Sequence, residues 1–504
     1  MKEKTNLGYI LSSSASGMGE PGDQPALIGL DSERRETRIS YPELDHLADG
    51  VAAGLIDRGY QPGDRIALLA ANSIAQVAVL LGGMRAGVVV VPVNYRFPAE
   101  MIAYVIEDCG ARLIFHDLEC ASCLPPAVTA VALDGDEGLS GFISAERYLP
   151  YLPGKHDPAL MLYTSGSTGR PKGVLLSHAS QLWVAKVRQT EGSLANERAV
   201  IAAPLYHMNA LALVFLSLSS QSTTILLPRF EAALYIDAIQ RYRATWLTAV
   251  PPMVAMLMNT GDILAKSDLS SVRVVRMGSA PVSAQLLEQI HELLPNARVI
   301  NAYGTTEGSP VVFTQPPNEQ ATPPLSLGVA HPAVNIRLRN EKGELSDQGV
   351  LELKSPGLML GYHSRSKSSA IFTEDGYYIT GDVFYRNAEG FYFFVGRHDD
   401  MFNCGGENVW PGEIERLLER HDKVQQACVV PIEDDVKGYK PVAFVVPSHG
   451  AETGEEELKN FTLEHAPAYR HPRRIWTVES LPLAATNKID RRALIDEARR
   501  RLQN

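Results

Sequence analysis

Between Tyr163 and Val174 the chain reads Tyr163-Thr164-Ser165-Gly166-Ser167-Thr168-Gly169-Arg170-Pro171-Lys172-Gly173-Val174. These residue types suit the wrapping of phosphate. Small residues let backbone N–H groups close around phosphate oxygens, four hydroxyls add donors and Lys172 adds a cation, a combination that matches a triphosphate. A plain flexible loop is the rival reading, and Pro171, Lys172 and the apolar flanks on both sides count against it. A Walker P-loop fails on spacing: its lysine is followed by Ser or Thr, whereas Lys172 stands between Pro171 and Gly173.

Four further motifs follow in the order Tyr303-Gly304-Thr305-Thr306-Glu307-Gly308, Tyr378-Ile379-Thr380-Gly381-Asp382, Gly396-Arg397-His398-Asp399-Asp400 with Gly405-Gly406-Glu407-Asn408, and Asn487-Lys488-Ile489-Asp490-Arg491. With the glycine-rich run, this set resembles the signature of the acyl-adenylate-forming superfamily, which includes acyl-CoA synthetases, the adenylation domains of peptide synthetases and firefly luciferase. The resemblance covers nearly the whole chain, with five motifs in the family's order.

The resemblance implies an ATP-dependent ligase that converts a carboxylic acid to an acyl-adenylate and passes the acyl group to coenzyme A, with Mg2+ as cofactor. It assigns ATP's phosphates to Thr164, Ser165, Gly166, Ser167, Thr168, Gly169 and Lys172. Tyr303 is implied to stack on adenine, within a nucleotide-binding run that also holds Ala302, Gly304 and Thr305. Thr306 touches the α-phosphate and Glu307 holds the metal, since a hard cation wants a carboxylate and phosphate oxygens together. Asn301 carries an amide able to pair with the adenine edge, and equally reads as a turn residue ending a strand. Asp382 and Arg397 correspond to ribose ligands.

Lys488 is the strongest catalytic candidate, because a cation near both the carboxylate and the α-phosphate offsets charge as one anion attacks another. The family places a hinge at Asp399. One orientation of the small domain presents Lys488, and the other swings Gly405, Gly406 and Glu407 toward the pantetheine tunnel. His207 resembles the residue that gates the acid pocket, with a buried structural histidine as the alternative. Pocket walls are expected from Met208 to Leu213 and from Gly278 through Ser279 and Ala280 to Pro281, the first three also counted as nucleotide-binding. These walls are small or apolar and favour an aliphatic, alicyclic or aromatic acid. Arg276 shares a strand face with Gly278; pairing with a surface acid is its expected role, and binding a second carboxylate the alternative. Peptide-synthetase domains carry an Asp where this chain has His207-Met208-Asn209, which disfavours amino-acid activation.

Two other functions stay open: a stand-alone enzyme that loads a separate acyl carrier protein, and a noncatalytic nucleotide-binding relative. Intact Thr164, Lys172, Glu307, Asp382 and Lys488 argue against the second. Because the sequence stops at Asn504, no fused carrier domain is expected.

The elements that must position these residues alternate. Ser40-Tyr41-Pro42-Glu43 is a capping box opening a helix that ends near Gly59. Residues 65–70, 73–86 and 88–91 read as strand, helix, strand, and strands return at 223–227, 245–250, 272–277 and 298–301. A mainly parallel, helix-covered sheet is the economical architecture. After Gly328, short strands at 335–339 and 350–354 suggest a β-rich subdomain. A helix from Pro411, strands at 427–431 and 442–446 and a basic helical tail form a last α+β unit. The fold class is thus α/β, with an N-terminal AMP-binding domain at 1–398 made of helix-covered mixed sheets plus the β-rich part, and a small mobile α+β domain at 399–504.

The chain's 504 residues, 45% hydrophobic and 21% charged, exceed one ordinary core and favour two or more domains. Its 47 Lys+Arg against 58 Asp+Glu give a net charge of −11, which disfavours nucleic acid as a partner. No apolar run reaches the roughly 18 residues of a membrane span and the amino terminus lacks a secretory pattern, so a cytoplasmic location is expected. Cys109, Cys120, Cys123, Cys404 and Cys428 are few and odd in number, as reduced thiols would be. Cys120 and Cys123 have zinc-like spacing without a second pair nearby.

Overall fold

The computed structural model describes residues 5–12, 24–31, 33–126, 128–135, 138–164, 170–190, 194–278, 282–316, 320–363, 371–448, 450–484 and 489–503. Ser165, Gly166, Ser167, Thr168, Gly169, Ser279, Ala280 and Lys488 lie outside the described residues.

Local chemistry sets the first helix as expected. Ser40 caps Tyr41–Asp57 by accepting from the Glu43 backbone N–H, and the Glu43 carboxylate accepts from the Ser40 N–H at 2.8 Å. Ser73 caps Ile74–Arg85 in a similar way, through the Gln76 N–H. Both helices pack against the parallel strands Arg65–Leu69 and Val89–Pro92.

The alternating elements build two seven-stranded sheets. One runs, in spatial order, Arg298–Asn301, Val274–Met277, Trp246–Ala249, Arg198–Ile201, Thr223–Leu226, Pro25–Leu30 and Glu36–Ser40, and is parallel except for the last pair. The other holds Gly361–Tyr362, Lys172–Ser177, Pro158–Thr164, Val89–Pro92, Arg65–Leu69, Leu113–His116 and Thr129–Ala132. The strand–helix–strand unit at 65–91 and the later alternation at 223–301 therefore belong to different sheets.

Four helices fill the space between the sheets: Tyr41–Asp57, Ile74–Arg85, His178–Thr190 and Met208–Ser219. Met208–Ser219, reading MNALALVFLSLS, buries every residue except Asn209. A helix apolar all round has no side to offer water, so it belongs in a middle layer. Helices such as Ala232–Tyr242 and Ala284–Leu293 cover the outer face of the first sheet, and Ala99–Cys109 that of the second.

The β-rich part is an antiparallel sheet of Asn335–Arg339, Gln348–Lys354, Tyr378–Arg386 and Tyr392–Arg397. Beyond it lies a five-stranded sheet dominated by the pair Val424–Asp434 and Gly438–Pro447. Alternation along these strands sends Val429 and Ala443 toward the helices Pro411–Leu418 and Glu455–His465, and Val430 and Phe444 toward Arg491–Gln503. This unit so buries its own core. Among the described residues no helix is long and apolar enough to cross a membrane.

Candidate active site

In an open parallel sheet, ligands settle beyond the carboxyl ends of the strands. Here the adjacent strands Val274–Met277 and Arg298–Asn301 end side by side, and the Ala302 N–H donates to the Met277 carbonyl at 2.8 Å. Gly278 and the run Ala302, Tyr303, Gly304, Thr305, Thr306, Glu307 extend from that edge. Gly304 has to be glycine, because a Cβ there would lie 2.6 Å from the Pro310 Cα. The close approach folds the run back on itself: the Thr305 N–H donates to the Ser309 carbonyl, and the Thr305 hydroxyl accepts from the Gly308 N–H at 2.8 Å. Asn301 uses its amide to donate to the Leu325 carbonyl at 3.1 Å, which anchors the strand end.

This turn delivers Glu307 to the phosphate hairpin. Pro158–Thr164 and Lys172–Ser177 pair antiparallel, with Thr164 directly opposite Lys172. Glu307 Oε1 accepts from the Thr164 hydroxyl at 3.0 Å and from the Tyr362 hydroxyl at 3.1 Å. Lys172 Nζ lies 5.5 Å from the centre of the Tyr362 ring, within cation–π range. Tyr362, in the two-residue strand Gly361–Tyr362 that pairs with Lys172–Ser177, escaped the sequence reading. Its neighbours give no local hint, and only pairing with the hairpin places it here.

A second cluster forms where the β-rich sheet meets the same edge. Asp382 and Arg397 face each other across Tyr378–Arg386 and Tyr392–Arg397, and Arg397 Nη1 lies 3.2 Å from Asp382 Oδ1. The Tyr303 hydroxyl donates to Asp382 Oδ2, and its ring meets Phe384 edge-on at 4.9 Å. Burial holds the Tyr303 hydroxyl well above the usual phenol range, so it remains a donor.

His207 precedes the helix Met208–Ser219, with its ring edge-on to Tyr206 at 4.5 Å. One turn further on, Ala212, Leu213 and Leu216 line a cavity of ≈ 160 Å³, opposite Val274 and Ile300 of the sheet. Arg276 lines it too, and its Nη2 donates to the Pro310 carbonyl at 3.4 Å. The expected wall from Met208 to Leu213 thus contributes only its last two residues, Ala212 and Leu213, to the cavity, which reaches deeper along the helix than expected.

Arg397 is followed by the short turn His398–Asp400, in which Asp399 is exposed and lies 3.9 Å from Arg397 Nη2. Gly405 and Gly406, both at positive φ, make a two-residue turn between Phe402–Cys404 and Glu407–Val409. Left-handed backbone at both positions is what such a hairpin requires. Ile489 bridges to Leu483, and Arg491 grips Glu415 through two bonds of 2.6 and 2.8 Å. The Cys120 thiol is pushed up by burial, and among the described residues no three His, Cys, Asp or Glu side chains gather as metal ligands. The Glu307 carboxylate, bonded to Thr164 of the hairpin, fits a magnesium ion, which is held by one or two carboxylates plus substrate phosphates.

Residues 15–363 match the family model described as AMP-binding enzyme, and 413–488 that of the AMP-binding enzyme C-terminal domain. The chain is 32% identical over 471 residues to a feruloyl-CoA synthase of Amycolatopsis sp, covering 92% of this chain and 94% of that protein. It is 31% identical to a fatty acid–[acyl-carrier-protein] ligase of Streptomyces coeruleorubidus, covering 91% of each. Its fold superimposes on ATP-bound MatB from Rhodopseudomonas palustris with a TM-score of 0.85 and 26% identity, over 98% of this chain and 99% of that one. With the phosphate hairpin, Glu307 and the Tyr303–Asp382–Arg397 cluster meeting at one sheet edge, the chain belongs to the AMP-binding enzyme family, in the acyl-CoA ligase branch of the acyl-adenylate-forming superfamily.

Proposed function

We infer that the protein activates an acid with an apolar body, aryl or aliphatic, as its acyl-adenylate and transfers the acyl group to coenzyme A. The observation that carries this reading is the convergence of Thr164, Lys172 and Glu307 beside the Tyr303–Asp382–Arg397 cluster. Phosphate and ribose groups thereby lie on either side of the sheet edge, and the cavity opens behind it.

In the first step a carboxylate oxygen attacks the α-phosphorus and pyrophosphate leaves. Tyr303 offers its ring to adenine, while Asp382 accepts from the ribose hydroxyls with Arg397 alongside. Thr306 donates to the α-phosphate, and Thr164, Lys172 and the intervening loop enclose the β- and γ-phosphates. Glu307, whose Oε1 accepts from Thr164 and Tyr362, would hold magnesium. That ion supplies charge neutralisation at the phosphates when bound. Lys488 offsets charge as the two anions meet. His207, at the head of the cavity-lining helix, guards the acid's entrance.

In the second step the coenzyme A thiolate attacks the acyl carbon, the acyl–phosphate C–O bond breaks and AMP departs. Rotation about Asp399 exchanges Lys488 for the Gly405-Gly406 hairpin and Glu407. The similarity to a carrier-protein ligase supports a second reading, in which a carrier's thiol replaces coenzyme A. Pyrophosphate release across a panel of carboxylic acids, with coenzyme A or an acyl carrier protein, tests both. Acyl-CoA and AMP are the expected products, and acid-dependent pyrophosphate release without acyl-CoA would overturn the coenzyme A step.

A further inference from the structure

Residues 359–363 belong to none of the five motifs, yet they tie Glu307 to the phosphate hairpin. The Met359 N–H donates to the Glu307 carbonyl at 3.0 Å. The Leu360 and His363 N–H groups donate to the Leu175 and Gly173 carbonyls of the hairpin at 2.8 and 2.7 Å, and between them Gly361 and Tyr362 pair with Leu175 and Val174. One end of this strap thus holds the Glu307 backbone, and the rest lies along the strand that begins at Lys172. The far end is fixed as well. The His363 ring donates from Nε2 to the Asp108 carbonyl at 3.0 Å, while the Asp108 carboxylate accepts from the Tyr163 hydroxyl at 2.5 Å. Asp108 therefore grips the strap and the first strand of the hairpin together.

Tyr362 is where the strap meets the chemistry. Register sets it opposite Val174, on the face that Val174 shares with Lys172 two residues before it. Its hydroxyl donates to Glu307 Oε1 at 3.1 Å, and the centre of its ring lies 5.5 Å from Lys172 Nζ. The two contacts use opposite properties of one side chain: the polar tip orients an anion, and the negative face of the ring attracts a cation. Both partners are otherwise mobile. A lysine ammonium rides on a flexible four-carbon stem, and a carboxylate that is to hold a metal needs an outer partner to fix its orientation. Ordering both before the nucleotide arrives removes that cost from binding.

We propose that Tyr362 is a positioning residue for the nucleotide half: its hydroxyl aims the Glu307 carboxylate at magnesium, and its ring seats Lys172 for the phosphates. It takes no part in bond making. The inference rests on the roles given to Glu307 and Lys172 above and adds the residue that sets their geometry.

Calorimetric titration of ATP, with saturating magnesium and with EDTA, separates the two contacts without any turnover. Tyr362→Phe, which keeps the ring and loses the hydroxyl, should weaken ATP binding about tenfold in magnesium, as for loss of an outer partner of a metal ligand, and leave affinity in EDTA unchanged. Tyr362→Leu, which loses the ring too, should also weaken binding in EDTA, by about threefold. In a Glu307→Gln background, Tyr362→Phe should change affinity in magnesium by less than about twofold, because the hydroxyl acts through the carboxylate. Melting curves establish that the variants are folded. Equal losses from Tyr362→Phe with and without magnesium, or a full tenfold loss in the Glu307→Gln background, overturn the positioning role and leave the Glu307 assignment standing. A Glu307→Gln protein whose ATP affinity responds to magnesium as the unmodified protein's does removes Glu307 as the metal ligand, and the inference with it.

Discussion

In the first 398 residues the groups around Glu307 come from distant stretches and are tied directly to one another. Thr164 and Glu307 are 143 positions apart and Tyr303 and Asp382 are 79, yet each pair shares a hydrogen bond. In residues 399–504 the described candidate groups Gly405 and Gly406 sit instead on the turn between Phe402–Cys404 and Glu407–Val409. Polar contacts from this unit to the rest include Asn408 to Glu341 at 2.8 Å, and Gln285 to Ser448 and Arg416 to the Val395 carbonyl, both at 3.3 Å. Its two buried clusters draw only on its own residues. The nucleotide half is prearranged by cross-links that cost stability to break. The smaller half is held together by its own two buried clusters and meets the rest partly through hydrogen bonds.

Lys488→Ala should show the widest separation between the halves. Adenylate formation is expected to slow by about 10²–10³-fold, as for loss of one preorganised electrostatic donor, while thioester formation from synthetic acyl-adenylate and coenzyme A persists. Equal collapse of both reactions in a folded variant would erase the two-orientation assignment. Glu307→Gln attacks the prearranged half. With the metal's carboxylate oxygen neutralised, pyrophosphate release at limiting magnesium should drop by about 10²-fold and recover partly as magnesium is raised. Undiminished activity at limiting magnesium would remove Glu307 as the metal ligand.

Stability against pH probes the same framework. His178 is buried and its Nδ1 accepts from the Leu7 N–H at 3.0 Å; desolvation depresses its pKa from 6.5 to about 4. A depressed pKa means that the unfolded chain binds the proton more readily. Stability from this site is therefore complete above pH 6.5 and is lost as pH falls toward 4. Between pH 7 and pH 5 the large domain should lose about 2 kcal/mol through this group, a loss that His178→Gln abolishes. Denaturant unfolding at both pH values checks it, and identical pH dependence in the two proteins would count against a neutral His178. The smallest effect is expected at the junction. Asp399→Pro fixes φ near −65° at the proposed pivot, and the two half-reactions should then differ in their losses by about tenfold. Equal, modest losses would make Asp399 an ordinary turn residue.

Much of this protein can be read from its sequence, because the decisive signals are short-range. The Ser40–Glu43 capping box needs only neighbouring residues, and the strands Arg298–Asn301 and Asn335–Arg339 fall where their alternation puts them. Five ordered motifs likewise identify the family and name Thr164, Glu307 and Asp382 before any contact is known. Only the tertiary structure decides which strands share a sheet, since the periodicity at 65–91 and at 223–301 is alike and a strand's partner is a long-range choice. The same holds for Tyr362, which reaches Glu307 through an edge pairing. Side chains far apart in the chain become neighbours through packing, and no local pattern of residue types encodes that encounter.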